Sequence, residues 1–310
     1  LWPSTAFSQA KYPDRPIRVI VPFAPAGDGD IIGRLWVKYA IAHTGANFIV
    51  DNKAGAGGAI GATEVSRAKA DGYALLLGTS STQIINPLAS GTATYDAIKD
   101  FNLVGMVSIN PTCIVVNPSV PANNLRELVN LIKSNPGKYS YGSAGPGTIT
   151  NLTGELFKLQ GGRLDVQHVP YKGNTPAVTA VMSGEVDAGA LATPGMLPHV
   201  KTGRINALAV TSRKRSKLAP DVPTVAELGL KDLELEVLYV VMMPSATPDA
   251  VVQILQNAMR SALNQPDIKT RLINLDLAYE GLTGKAAQTR LNDLSIRYAR
   301  IVQSTGMESE

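Results

Sequence analysis

Short apolar runs alternate with longer amphipathic segments along almost the whole chain, and this alternation predicts an α/β architecture. Strands are expected at residues 17–21, 48–52, 74–78, 103–108, 113–117, 139–142, 165–169, 188–192, 205–210 and 238–243. Helices are expected at 31–44, 59–69, 124–135, 150–160, 174–183, 194–203, 248–264 and 286–305. Asp30 reads as the N-cap of the first helix, because a carboxylate there accepts from amides that lack a partner within the helix. Thr247 and Pro248 read as the start of another, with Pro266 as its stop. Strand and helix alternate in two clusters, with a crossing expected at 108–113 and a return at 233–237. The first domain is therefore expected to be discontinuous, residues 11–110 with 236–310, around a second domain of residues 111–235.

Three loops share a pattern. "PAGDGD" (25–30), "TSST" (79–82) and "SAGPGTITN" (143–151) each follow a strand and lead towards a helix. Small residues let the backbone approach a ligand, hydroxyls add donors, and helix N-termini favour negative charge. In an open α/β sheet such loops lie at the carboxyl ends of strands, where ligands bind. Two domains facing each other would make the three loops one cleft that binds an anion through backbone rather than through arginines.

Composition narrows the function further. The 310 residues are 45% hydrophobic and 17% charged, which suits a soluble globular chain of about two domains. The formal net charge of +4 is dispersed, and its densest patch, "RKRSK" (213–217), reads as a solvated loop, so no nucleic-acid partner is expected. The one cysteine, Cys113, sits in an apolar run and reads as a small buried hydrophobe. Three histidines without paired spacing give no metal site. The glycines of "AGAGGAIGA" (54–62) miss the dinucleotide register, and "GTSST" (78–82) lacks the second glycine of a nucleophile elbow. No cofactor is expected, and no nucleophile–base pair is visible for a cleft hydrolase. At the N-terminus, Ser8 and Ala10 are spaced like the small residues before a signal-peptidase cut; residues 1–10 read as the tail of an export signal or a disordered extension.

The order of several longer stretches carries a family resemblance. "YPDRPIRVIVPFAPAG" from Tyr12, "NKAGAGGAIGA" from Asn52 and "DGYALLLGT" from Asp71 are followed by "VVNPSVPA", "GKYSYGSAGPGT" and "HVPYKGNTPAV", then by "GRINALAVTSRKRSKLAPDVPTVAELGL" and "MMPSATPDAVV". In this order they resemble the Bug family of extracytoplasmic solute receptors, the binding components of tripartite tricarboxylate transporters. The resemblance implies a two-domain periplasmic-binding-protein fold of the Venus-flytrap kind and a periplasmic, monomeric, non-catalytic receptor. Its partners would be a small carboxylate, aromatic or dicarboxylic, and the membrane permease subunits; a sensor feeding a signalling system is the alternative. By position, the first-domain wall would be Phe23, Pro25, Ala26, Gly27, Asp28, Gly29 and Asp30 with Thr79 and Ser80. The second-domain wall would be Ser143, Ala144, Gly145, Gly147, Thr148 and Asn151, with Tyr171, Lys172, Gly173, Ala192 and Thr193.

Three departures from the family pattern bear on the ligand. Asp28 stands where the family loop, Pro-Gly-Gly-Ser-Thr-Asp, has a hydroxyl. Two like charges 4 Å apart repel by roughly 1 to 4 kcal/mol in solvent-like or surface dielectric, so Asp28 is expected to face solvent or to accept from a ligand hydroxyl or amine. "ALAT" (190–193) replaces Phe-Asp-Asn-Leu, which argues against amino acids. Leu238 and Tyr239 replace a common Trp-Phe pair, and the smaller Leu238 would leave room for an apolar-bodied ligand.

Overall fold

The computed structural model describes residues 12–89 and 93–307; the expected export signal at 1–10 lies outside them. Ten strands form one continuous, curled sheet. They are β1 (Ile17–Val21), β2 (Phe48–Asn52), β3 (Ala74–Thr79), β4 (Phe101–Val116), β5 (Ser140–Ser143), β6 (Gln167–Pro170), β7 (Ala188–Ala192), β8 (Asn206–Val210), β9 (Glu236–Pro244) and β10 (Ala278–Tyr279). The main path runs β2-β1-β3-β9-β4-β7-β5-β6, with β8 and β10 also pairing with β4.

Ten α-helices cover the sheet: α1 (Asp28–Thr44), α2 (Ala59–Ser66), α3 (Asn86–Ala89), α4 (Leu125–Lys133), α5 (Ile149–Gln160), α6 (Asn174–Ser183), α7 (Thr193–Lys201), α8 (Asp249–Leu263), α9 (Pro266–Asn274) and α10 (Gly284–Thr305). With helices on both faces, central strands read as unbroken apolar runs. Leu75, Leu76 and Leu77 of β3 are all fully buried, each worth about 1.5–3 kcal/mol against exposure.

The sheet has two lobes, and β4 joins them. Residues 101–111 of β4 pair antiparallel with β9, and 112–116 pair with β7, while 113–116 pair with β8. The sequence suggests two strands separated by Asn110-Pro111; the structure has one 16-residue strand. Proline lacks an N–H and disrupts a ladder, but Pro111 sits where β4 hands over from β9 to β7, so its missing donor costs little. Beside it, buried hydroxyls take over the pairing: the Thr112 amide donates to Thr211 Oγ1 at 2.9 Å, and Thr112 Oγ1 lies 2.9 Å from Thr153 Oγ1.

Most local expectations hold to within a few residues. Two proline readings need correction. Pro266 opens α9 rather than merely stopping α8, since the first helical turn needs no proline N–H. Pro248 itself is the N-cap of α8, and Thr247 turns back to donate to the Pro244 carbonyl at 2.7 Å.

Candidate functional site

Each loop that leads to the cleft leaves the carboxyl end of a parallel strand. The turn from β1 to α1 contains Phe23 and Ala24, and the helix begins at Asp28 with Gly27 as N-cap. From β5 the chain turns through Ala144–Thr148 into α5; from β6, through Tyr171–Gly173 into α6; β7 passes directly into α7 at Thr193. Four helix N-termini, of α1, α5, α6 and α7, are therefore aimed into one space between the lobes. Each helix is long enough to carry a sizeable positive end, about half an elementary charge.

The cavity between the lobes has a volume of about 40 Å³ and is lined by Phe23, Gly27, Asp28, Thr79, Ala144 and Thr148 among the expected residues. Gly29 and Ala192 complete that set. Ala24, Ser81, Ile149 and Thr150 fall within the expected loops and also line it, although they were not singled out; Asn174, Thr175, Val237 and Tyr239 were not among the expected site residues. The signal for Thr150 and Asn174 was present, since both stand in the first turn of expected helices. Within "TSST" the structure selects Ser81 over Ser80 for the wall, because the chain after β3 winds into an irregular turn, Ser81–Ile85, before α3. Ser81 Oγ accepts from the Ile149 amide at 3.0 Å and so links the two lobes across the cleft.

Other expected residues lie beside the cavity rather than on it. Ser80 is fully buried, and its hydroxyl faces β9, accepting from the Leu238 amide at 3.3 Å. Asn151 braces its loop by accepting from the Gly147 amide at 3.2 Å. Thr148 caps α5, accepting from the Asn151 amide and donating to the Gly145 carbonyl at 2.7 Å. Tyr171 and Lys172 line a neighbouring pocket with Gly55–Gly58 and Pro146, at the margin of the cleft. Pro25, Ala26, Gly145, Gly147, Gly173 and Thr193 hold the backbone around the cavity without lining it. Leu238 is buried away from the cavity and Tyr239 occupies the wall instead, because neighbouring strand residues point to opposite faces. The room expected from a small Leu238 is thus not room for a ligand.

The two aspartates at the start of α1 behave differently. Asp30 lies within α1 rather than capping it: its carboxylate reaches back to accept from the Ala26 amide at 2.9 Å and from Arg34 Nε at 3.0 Å. Burial pushes its carboxyl up, but hydrogen bonds from Arg34, Ala26 and Asn52 outweigh that and hold it below the ordinary carboxylate value. Asp28 does not face solvent. It is buried in the cavity wall, and its Oδ1 has no hydrogen bond of ordinary geometry. Burial pushes its carboxyl up to about 7, and the Gly195 backbone and Asn174 side chain opposite offset only part of that cost. Among the described residues no Lys, Arg or His lines this cavity.

The glycine loop before α2 has a structural explanation. Gly57 has φ +60° and packs so closely on the opposite lobe that an added Cβ would lie 2.2 Å from the Pro146 carbonyl oxygen. The loop is a contact between lobes, so only a residue without a side chain fits. A serine–histidine pair also appears: Ser143 Oγ lies 2.7 Å from His168 Nε2, and His168 stacks on Tyr141 at 4.8 Å. Ser143 is fully buried and does not line the cavity, and its hydroxyl also accepts from the Gly145 amide. Desolvation lowers the His168 pKa, so the imidazole is neutral at pH 7 and fixes the 143–148 loop by hydrogen bonding and stacking. Among the described residues no acidic, Cys or His cluster suits a metal ion.

Two α/β lobes joined by shared strands, with helix N-termini converging on a cavity between them, define a solute-binding protein. Residues 34–307 match the model of the tripartite tricarboxylate transporter family receptor, and the chain belongs to that family. It is 34% identical to protein BugT of Bordetella pertussis over 305 residues, covering 95% of this chain and 90% of BugT. The structure of the periplasmic binding protein BugD superposes with a TM-score of 0.90 at 31% identity, covering 96% of this chain and all (100%) of BugD. Two ligand-bound structures from Rhodopseudomonas palustris are also similar. Rpa4515 with adipate has a TM-score of 0.90 at 28% identity, covering 95% of this chain and 98% of its own. MatC with bound malate has a TM-score of 0.89 at 26% identity, covering 94% of this chain and 100% of its own. The fold is that of a two-domain periplasmic binding protein, and the chain is a solute-binding receptor.

Proposed function

We propose that this receptor closes its lobes around a small carboxylate and presents it to the membrane subunits of a tripartite transporter. The observation that carries the reading is the convergence of four helix N-termini on a cavity that contains no basic side chain among the described residues. Such a site stabilises negative charge with backbone amides and with the hydroxyls of Thr79 and Ser81, which only accept within the protein and keep their protons for a ligand. The carboxylates bound to Rpa4515 and MatC, adipate and malate, support the same chemistry. The ligand-binding surface is made of the cavity-lining residues, and the remaining expected positions support its loops.

The moving bodies are residues 11–110 with 236–310, and residues 111–235. A ligand that touches both lobes only when they are closed favours that state by its differential affinity. The closed cavity of about 40 Å³ holds roughly three waters at the ~10–15 Å³ that each requires. Any C4 acid is larger than three waters, so the lobes have to part to admit it, and further for an aromatic acid.

A thermal-shift and calorimetric screen of purified protein against aliphatic, amino and aromatic carboxylates tests the reading. A ligand at about 100 times its dissociation constant stabilises the folded state by about 2.7 kcal/mol, which raises the melting temperature by several degrees. Recovery of that ligand chemically unchanged completes the case for a receptor. Turnover of the ligand, or no response to any carboxylate, would defeat it.

A further inference from the structure

Asp28 is an anion in a site built for anions. It lies at the start of α1, lines the cavity and faces the first turns of α6 and α7 at Asn174 and Gly195. An added Cβ on Gly195 would lie 3.0 Å from Asp28 Oδ1, so the carboxylate presses against the opposite lobe. Oδ1 is buried without a hydrogen-bond partner. The Asn174 side chain spends one Nδ2 proton on the Ala192 carbonyl at 3.1 Å and accepts from the Ala192 amide at 2.9 Å, so only its second N–H and the Gly195 backbone face Asp28, and neither makes a hydrogen bond of ordinary geometry to Oδ1. A buried carboxylate oxygen left unpaired is costly, and a second carboxylate in the same enclosed space adds repulsion. Among the described residues no basic side chain lines the cavity to offset either effect, and the one other titratable group among the lining residues is the buried Tyr239 of β9, whose phenol is raised by burial and by Asp28. A donor on a ligand held between the lobes would complete Oδ1.

We propose that Asp28 selects a carboxylate that carries its own hydrogen-bond donor, a hydroxyl or ammonium group, and accepts from that donor through Oδ1 when the lobes close. The inference rests on the carboxylate-receptor reading and adds a polarity to it. The helix N-termini hold the carboxylate end, and Asp28 holds the donor end. A plain carboxylate binds only when Asp28 takes a proton from solvent. The raised carboxyl value of about 7 supports this: above it, the ligand has to supply the proton.

Succinate, malate and aspartate form a matched set for calorimetric titration into the full chain at pH 8.5 and pH 5.5. Propionate, lactate and alanine form a smaller set. In the wild type at pH 8.5, the donor-bearing member binds about tenfold to a hundredfold more tightly than the plain acid, the range of a hydrogen bond to a charged group. Preference for malate and lactate identifies a hydroxyl, and preference for aspartate and alanine an ammonium. At pH 5.5 the plain acids gain affinity and the gap narrows. Asp28→Asn keeps the shape and removes the charge, so it improves binding of the plain acid and narrows the gap at pH 8.5; Asp28→Ser does the same with the hydroxyl found in the family pattern. The proposal is overturned if plain acids match the donor-bearing ones in the wild type at pH 8.5. A preference that survives both substitutions overturns it equally. Failure of all six acids to bind removes the carboxylate reading itself, an outcome distinct from binding without preference.

Discussion

Asp28 and Asp30 stand two positions apart in one turn of one helix, and their environments set opposite behaviour. Asp30 has Arg34 one turn along and the Ala26 amide behind it, and stays charged. Asp28 has backbone, an amide side chain and a phenol around it, and its carboxyl is pushed up to about 7 from the model-peptide value of 3.8. The folded protein then binds a proton that the unfolded chain has already lost between about pH 4 and pH 7. Stability linked to Asp28 is thus fully present below pH 4 and falls away as pH rises through about 7. Asp28→Asn removes that dependence. Urea midpoints for the two proteins should be similar near pH 4 and diverge in favour of the variant by pH 8. Three pKa units set an upper bound of about 4 kcal/mol, which opening of the lobes reduces by rewetting the carboxylate. Equal midpoints at both pH values would show that Asp28 is solvated.

At the level of elements, the loops and the β4 crossing can be tested separately. Gly57 touches the other lobe and not the cavity, so Gly57→Ala should weaken ligand binding through closure. Its added methyl would lie 2.2 Å from the Pro146 carbonyl oxygen across the cleft, and 2.7 Å from Asn86 Nδ2 in its own lobe, where the side chain can give way. The expected signature is at least a tenfold loss of affinity with only a modest change in the melting temperature of the free protein; unchanged affinity would show that this contact is dispensable. At the crossing, Thr211 Oγ1 accepts from the Thr112 amide and donates its one proton to the nearer Leu235 carbonyl, with the Thr112 carbonyl also within reach. Thr211→Val keeps the shape but strands a buried N–H, which costs about 1–3 kcal/mol. Chemical denaturation of the variant measures that loss directly.

For the whole molecule, the same contacts join the lobes and enclose the ligand. Ser81 links to Ile149, Gly57 meets Pro146, and Asp28 meets the starts of α6 and α7, all at the cleft margin or floor. Ligand and interlobe contacts are therefore stabilised together, and saturating ligand should shift the free protein towards a more compact form. Small-angle scattering with and without the best carboxylate checks this; an unchanged radius of gyration would mean that the free protein is already closed in solution.

The boundary between what was legible in the sequence and what was not follows from range. Hydrophobic period and turn chemistry are local, so β1, β2, β7 and α6 can be read residue by residue from the chain, and the loops after β1, β3 and β5 announce themselves by small residues before a helix. The family resemblance fixed the receptor class for the same reason, because it too is carried by local stretches in order. Side-chain direction and partner choice are not local. Asn110-Pro111 reads as a break until β7 and β9 are seen to share one strand there. Ser81 and Tyr239 enter the site only because an irregular turn and the strand pleat point them inward. The sequence by itself determined an α/β solute receptor with backbone-rich anion loops; only the tertiary structure decided that Asp28, free to face water in an isolated loop, is enclosed by the opposite lobe, where loss of solvent makes its unpaired oxygen a demand on the ligand.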